Sequence, residues 1–261
     1  MRAFACILAA SLALSGAAEA APTRVASLNL CTDELLLALA APGQIASVTH
    51  LSSQEAETPL WRQARRYQRN DGSLLSVAGF RPDLVLTMGG GARDRTRIAR
   101  RLGIRVLDLP FPASIADTEQ AIMTVAAALG REAEGRRMLT RISALKRSQP
   151  ASAADTIWLG GGGRSVGANS LAAQWMRLAG FRQRPLRGDR VSLEQLLVRP
   201  PAILLRSDYR SGQYSGEQRW LAHPLARGTR RSRAIPTDGR RWTCMGPLMI
   251  DEVQRLRKMA P

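Results

Sequence analysis

Lysine is almost missing from this chain: of 38 basic residues, all but Lys146 and Lys258 are arginine. After the first twenty residues no apolar run approaches the length of a bilayer-spanning helix. Neither glycine run forms G-x-G-x-x-G and no Gly-Lys-Ser/Thr occurs, so nucleotide binding has no support. Cysteine is scarce, with three in 261 residues: Cys6, Cys31 and Cys244. Two distant cysteines in the body of the chain do not make a disulfide framework. What is abundant is positive charge, a net +17. So basic a chain invites a nucleic-acid reading, but the arginines are scattered rather than gathered on one arm. No nucleic-acid partner is expected. Part of the excess reads as arginine on solvated faces, and the rest suits an anionic ligand or an anionic membrane surface.

Residues 1–20 read as a cleavable signal peptide. Arg2 is a short positive start, residues 4–14 are apolar, and Ala18-Glu19-Ala20 is a small-x-small cleavage site. Cys6 lies too early to be a lipid-attachment cysteine. The mature chain is therefore expected free in the periplasm, with about 240 residues for one large or two medium α/β domains.

The middle of the chain organises the rest. Ser114 and Asp117 start a helix that runs apolar through Ile122, Val125 and Leu129 and stops at Gly130. A second helix follows over 131–148, about 27 Å long at the usual rise, and Pro150 ends it. On either side, short strands and helices alternate, which argues for mostly parallel sheets covered on both faces. The two halves share a signature of short helix, Arg-Pro and strand: LLSVAGFRPDLVL at 74–86 and SLEQLLVRPPAILL at 192–205. The expected fold class is α/β, with an N-terminal lobe at 21–130, a bridging helix at 131–149 and a C-terminal lobe at 150–261. Ligands in open α/β sheets sit beyond the carboxyl ends of the strands. Those ends are Asn29-Leu30-Cys31, His50-Leu51, Met88-Gly89, 160–164 and 207–209.

RVASLNLCTDELLLALA at 24–40, RPDLVL at 81–86, VGANSLAAQWMRLAGF at 166–181, VSLEQLL at 191–197 and WTCMGPLMIDEVQRL at 242–256 together resemble the periplasmic binding proteins that feed ABC importers for cobalamin, haem and iron-siderophores. The resemblance covers nearly all of the mature chain in order. It implies two Rossmann-like lobes joined by one long helix that closes little on binding. It further implies no catalysis and no resident cofactor, the ligand being a metal chelate held between the lobes. The implied partner is an ABC importer permease, through which alone a monomer would meet the inner membrane. Family members carry one acidic residue per lobe for docking. Glu194 stands at or within one residue of that place in the second lobe. In the first lobe the place falls at Leu75 or Ser76, and Glu55 or Glu57 is the available substitute.

For the cleft, the loops offer Trp242, Met88, Tyr67, Arg93, Arg164 and Tyr209, with Trp61 as a further aromatic. Arg93, Arg95, Arg164 and Arg210 are forked donors suited to carboxylate or phosphate oxygens, which favours an anionic ferric chelate over a corrinoid. Trp158 and Trp175 fall inside a strand and a helix and read as core. Cys31 and Cys244 sit in cleft loops, one per lobe. They read as small buried residues, as an interlobe disulfide, or as soft metal ligands. An alternative function also stands: Gly163-Arg164-Ser165-Val166-Gly167 fits the G-x-S-x-G turn of a serine hydrolase, with Asp189 or Asp208 and then His223 following in order. No upstream His-Gly-Gly oxyanion motif accompanies it.

Overall fold

In the computed structural model the described residues are 21–89, 92–209 and 215–261, with backbone alone at 92–95. The leader at 1–20, and with it the signal-peptide expectation, lies outside them. The first half builds β1 (Val25–Ser27), α1 (Leu30–Leu39), β2 (Ile45–Thr49), α2 (Trp61–Ala64), β3 (Gln68–Asn70), α3 (Leu74–Ala78), β4 (Leu84–Met88), α4 (Ala92–Arg101) and β5 (Arg105–Leu109). Its five strands are all parallel in the order β3-β2-β1-β4-β5. β1 and the first four residues of β4 are buried, as expected of central strands covered on both faces. Asn29 caps α1 by accepting the Thr32 N–H, and Ser73 caps α3 by accepting that of Ser76.

Two helices then pack against each other, α5 (Ile115–Ala128) and α6 (Glu132–Arg147). α6 is 16 residues long, about 24 Å at 1.5 Å per residue. The pair approaches closely because Gly135 faces α5: a Cβ there would lie 2.7 Å from the Ala126 methyl. The second half follows with β6 (Ala154–Leu159), α7 (Leu171–Leu178), β7 (Phe181–Gln183), α8 (Leu193–Val198), β8 (Ile203–Ser207), α9 (Gly216–Leu221), β9 (Arg233–Thr237), α10 (Arg241–Cys244) and α11 (Leu248–Arg257). Its four strands are again all parallel, in the order β7-β6-β8-β9. α6 lies between the halves. Lys146 bonds Glu119 of α5 at 2.7 Å, and Arg141 pairs with Asp251 of α11. The fold is thus two parallel-sheet α/β lobes with a helical backbone.

The shared signature is a structural repeat. α3 and α8 each begin after a serine cap, and each leads through Arg-Pro into a central strand. Aligned on those caps, Leu75 corresponds to Glu194. Three elements leave little pattern in the sequence. Residues 50–70, which carry no clear period, contain the edge strand β3, the segment after α7 contains the edge strand β7, and α9 follows β8. No helix among the described residues is long and apolar enough to cross a membrane.

Candidate functional site: the cleft between the lobes

Both sheets reverse direction of winding at their centre, between β1 and β4 in one and between β6 and β8 in the other, which opens a crevice at the strand carboxyl ends. In the first lobe that end presents Asn29, whose Nδ2 donates to the Met88 carbonyl at 3.3 Å, and then Gly89. Gly89 has φ +107, a conformation that favours glycine, and a Cβ on it would lie 2.5 Å from Phe111 Cε2 and push the ring aside. Phe111, just beyond β5, is 67% exposed. A large aromatic left open at the mouth of a crevice is a stacking surface, and sequence reasoning missed it. Its position two residues past Leu109, the last residue of β5, was the available signal.

The second lobe presents Gly160–Gly163, Ser207–Tyr209 and Asp238–Arg240 at its strand ends. These loops meet the first lobe directly. Tyr209 Oη donates to Glu57 Oε2 at 2.6 Å, and Arg240 Nη1 donates to the Glu55 carbonyl at 2.8 Å. Arg240 is itself held by a fork onto Asp238, at 2.8 and 2.9 Å. Arg164, at the rim, pairs with Glu217 at 2.8 Å with both side chains more than half exposed. An ion pair so exposed is worth little, so Arg164 can exchange Glu217 for a ligand carboxylate.

Several expected site residues are placed otherwise. Trp242 is only 7% exposed and donates its indole N–H to Thr237 Oγ1 at 2.7 Å, with its ring 6.1 Å from that of Trp158. It is a core residue, because the loop read before Cys244 is the helix α10, which turns the indole inward. Cys31 and Cys244 are joined in a disulfide, with Cα atoms 5.2 Å apart. Their sulfurs are bonded to each other, so the pair supplies no thiolate to a metal, and both residues are half-buried rather than sealed in the core. Tyr209 is half-buried and engaged with Glu57, and Trp61 lies beneath the guanidinium groups of Arg62 and Arg65, at 4.8 and 4.3 Å. Met88 and Tyr67 are half-buried against the main core. The side chains of Arg93 and Arg95, and all of Arg210, lie outside the described residues.

The hydrolase constellation does not assemble. Ser165 Oγ donates to the Trp158 carbonyl at 2.6 Å and accepts from Gln183 Nε2 at 3.0 Å. His223 Nδ1 accepts from the Leu225 N–H, and Asp208 Oδ1 from the Gly239 N–H. Ser165 ties to β6 and β7, Asp208 ties the loop after β8 to that after β9, and His223 serves its own turn. Among the described residues no group of three histidine, cysteine or acidic side chains is arranged to hold a metal.

Two carboxyls of α1 are buried beside the cleft. Asp33 accepts from the backbone and hydroxyl of Thr49, yet burial pushes it up to about 6. Glu34 reaches across the lobes to accept the Leu248 N–H at the start of α11, at 3.1 Å, and burial pushes it up to about 7. On the outer surface Glu194 is exposed in the first turn of α8, where the Ser192 hydroxyl holds its carboxyl below the usual range. Its counterpart Leu75 is 86% exposed. Glu57, the expected substitute, is 8% exposed and turned into the lobe interface, so it cannot present a charge to a docking partner. Glu55 meets the other lobe through its carbonyl.

The periplasmic haem-binding protein BhuT, in complex with two haems, superposes with a TM-score of 0.66 at 20% identity, over 92% of this chain and 97% of that one. The siderophore-binding protein BauB, bound to acinetobactin and ferric iron, gives 0.68 at 15% identity, over 93% and 95%. The periplasmic vitamin B12-binding protein BtuF of Vibrio cholerae gives 0.62 at 16%, over 91% and 96%. At such identities the likeness is one of fold. A search of curated proteins finds no sequence match. The periplasmic binding protein family model matches residues 25–231, and the chain belongs to that family.

Proposed function

We propose that the protein captures a metal chelate in the interlobe cleft and hands it to an ABC importer in the inner membrane. The observation that carries this is the cleft: the strand ends of two parallel sheets meet there, tied across by Tyr209–Glu57 and Cys31–Cys244, and leave Phe111 open at the mouth. A site so tied is largely formed before the ligand arrives. Phe111 stacks on the ligand, and Arg164 reaches its carboxylates. The chelate is cargo, not a cofactor of the protein. The relatives' ligands, haem, a ferric siderophore and vitamin B12, define the range, and the arginines favour an anionic ferric chelate or haem over the corrinoid. The protein works as a periplasmic monomer without catalysis, and Glu194 is its charged contact with the permease.

The test is a tryptophan-fluorescence titration of the mature protein with haemin, cobalamin, ferric citrate and ferric hydroxamate and catecholate siderophores. Saturable quenching by one class, weakened in Phe111→Ala, is expected. If none of these ligands quenches at one equivalent, chelate capture is wrong. Glu194→Ala should bind normally and fail in uptake; equal uptake would remove that role.

A further inference from the structure

The outer face of the second sheet holds a pocket that the cleft reading does not use. Arg206 of β8 shares a face with Leu204, away from the main core, and opens between α9 and the 3-10 turn Pro224–Arg227 into a cavity of about 200 Å³. Arg227 lines the same cavity. No carboxylate among the described residues pairs with either arginine. Arg206 Nη2 donates to the Leu221 carbonyl at 3.1 Å, which fixes the plane of its guanidinium. Its Nε is buried with no acceptor. Gln218, anchored through Nε2 to the Tyr209 carbonyl at 3.2 Å, leaves its Oε1 buried with no donor. Asp208 also lines the cavity, but it accepts the Gly239 N–H and lies in the field of Arg240 and Arg255.

Arg206 and Arg227 line one cavity with like charge, and Asp208 is the one acid on its wall among the described residues. Burial first, and Arg227 second, hold Arg206 below its usual arginine value. Two like charges share one pocket against a single acid, and a small anion answers the excess. We propose that this pocket binds a small oxyanion, such as phosphate or a carboxylate. The anionic oxygens meet the guanidinium groups of Arg206 and Arg227. The cavity has room for such an anion with a few waters, each needing about 30 Å³.

Calorimetric titration of the mature protein with inorganic phosphate, and separately with iron-free citrate, at fixed ionic strength tests this. One saturable site is expected, weakened about tenfold or more in Arg227→Ala by loss of a charge-assisted contact, and unchanged in Arg136→Ala on the exposed face of α6. Whichever of phosphate and citrate binds tighter identifies the source of the oxyanion. Arg227 is exposed, so its variant keeps the fold, and it should titrate with the chelate panel as the wild type does, which separates this site from the cleft. The proposal is overturned if neither anion saturates below about 10 mM. It is equally overturned if Arg227→Ala and Arg206→Leu both bind as the wild type, or if Arg136→Ala weakens binding as much as Arg227→Ala.

Discussion

Cys31 and Cys244, 213 positions apart in the chain, join the first turn of α1 in one lobe to the end of α10 in the other. Beside them Glu34 of α1 accepts the Leu248 N–H, so one turn of helix ties the lobes twice.

Reducing that disulfide, or replacing both cysteines by serine, should lower stability by about 2–5 kcal/mol. Urea denaturation with and without a thiol reductant reads this directly. An unchanged midpoint on complete reduction, verified by thiol titration, would show that the cross-link carries no stability.

The buried carboxyls predict a pH dependence. Glu34 rises from 4.5 to about 7 in the fold and Asp33 from 3.8 to about 6. Both are raised, so the folded state holds protons that the unfolded state has released. Stability should therefore fall as pH rises from the unfolded values through the folded ones, and level off above about 7. The Glu34 part is worth about 3 kcal/mol at most. Glu34→Gln keeps an acceptor for Leu248 and removes the charge, so its unfolding free energy should decline less between pH 5 and pH 8. Parallel slopes for wild type and variant would refute the assignment.

Phe111 and Trp242 should separate binding from stability. Phe111→Ala, at an exposed position, should leave the denaturation midpoint nearly unchanged and weaken chelate binding about tenfold by loss of stacking. Trp242→Ala empties a core position and removes the indole bond to Thr237, at a cost of about 3–5 kcal/mol. The reverse pattern in paired denaturation and titration experiments would return Trp242 to the cleft wall.

Tyr209→Phe removes the hydrogen bond to Glu57 and should cost about 1.5–3 kcal/mol, as expected for a bond to a charged group. A double-mutant cycle with Glu57→Gln gives the coupling; a coupling near zero would mean the lobes are held by other contacts.

Glu194 and Leu75 show what aligned halves can reveal. Each occupies the second position of a serine-capped helix before Arg-Pro, so the repeat pairs an apolar residue in the first lobe with an acid in the second. The cap fixes the register, selecting Leu75 over Ser76.

Local patterning was enough for the central strands, the capped helices and the two-lobed plan. β2 and β4 are mostly apolar runs between breakers, and Ser114, Ser170 and Ser192 each accept a helix N–H. β3 and β7, reading QRN and FRQ, left little trace, since a three-residue edge strand is held by its neighbour's backbone rather than by its own side chains. Contacts between distant segments were decided only by tertiary structure. The Cys31–Cys244 bond, the Tyr209–Glu57 bridge and the inward turn of Trp242 depend on how two lobes settle against each other, and no spacing along the chain encodes that. Exposure of Phe111 follows from the same source: its neighbour Gly89 is 22 residues away in sequence, and only the packing of β4 against β5 makes them touch.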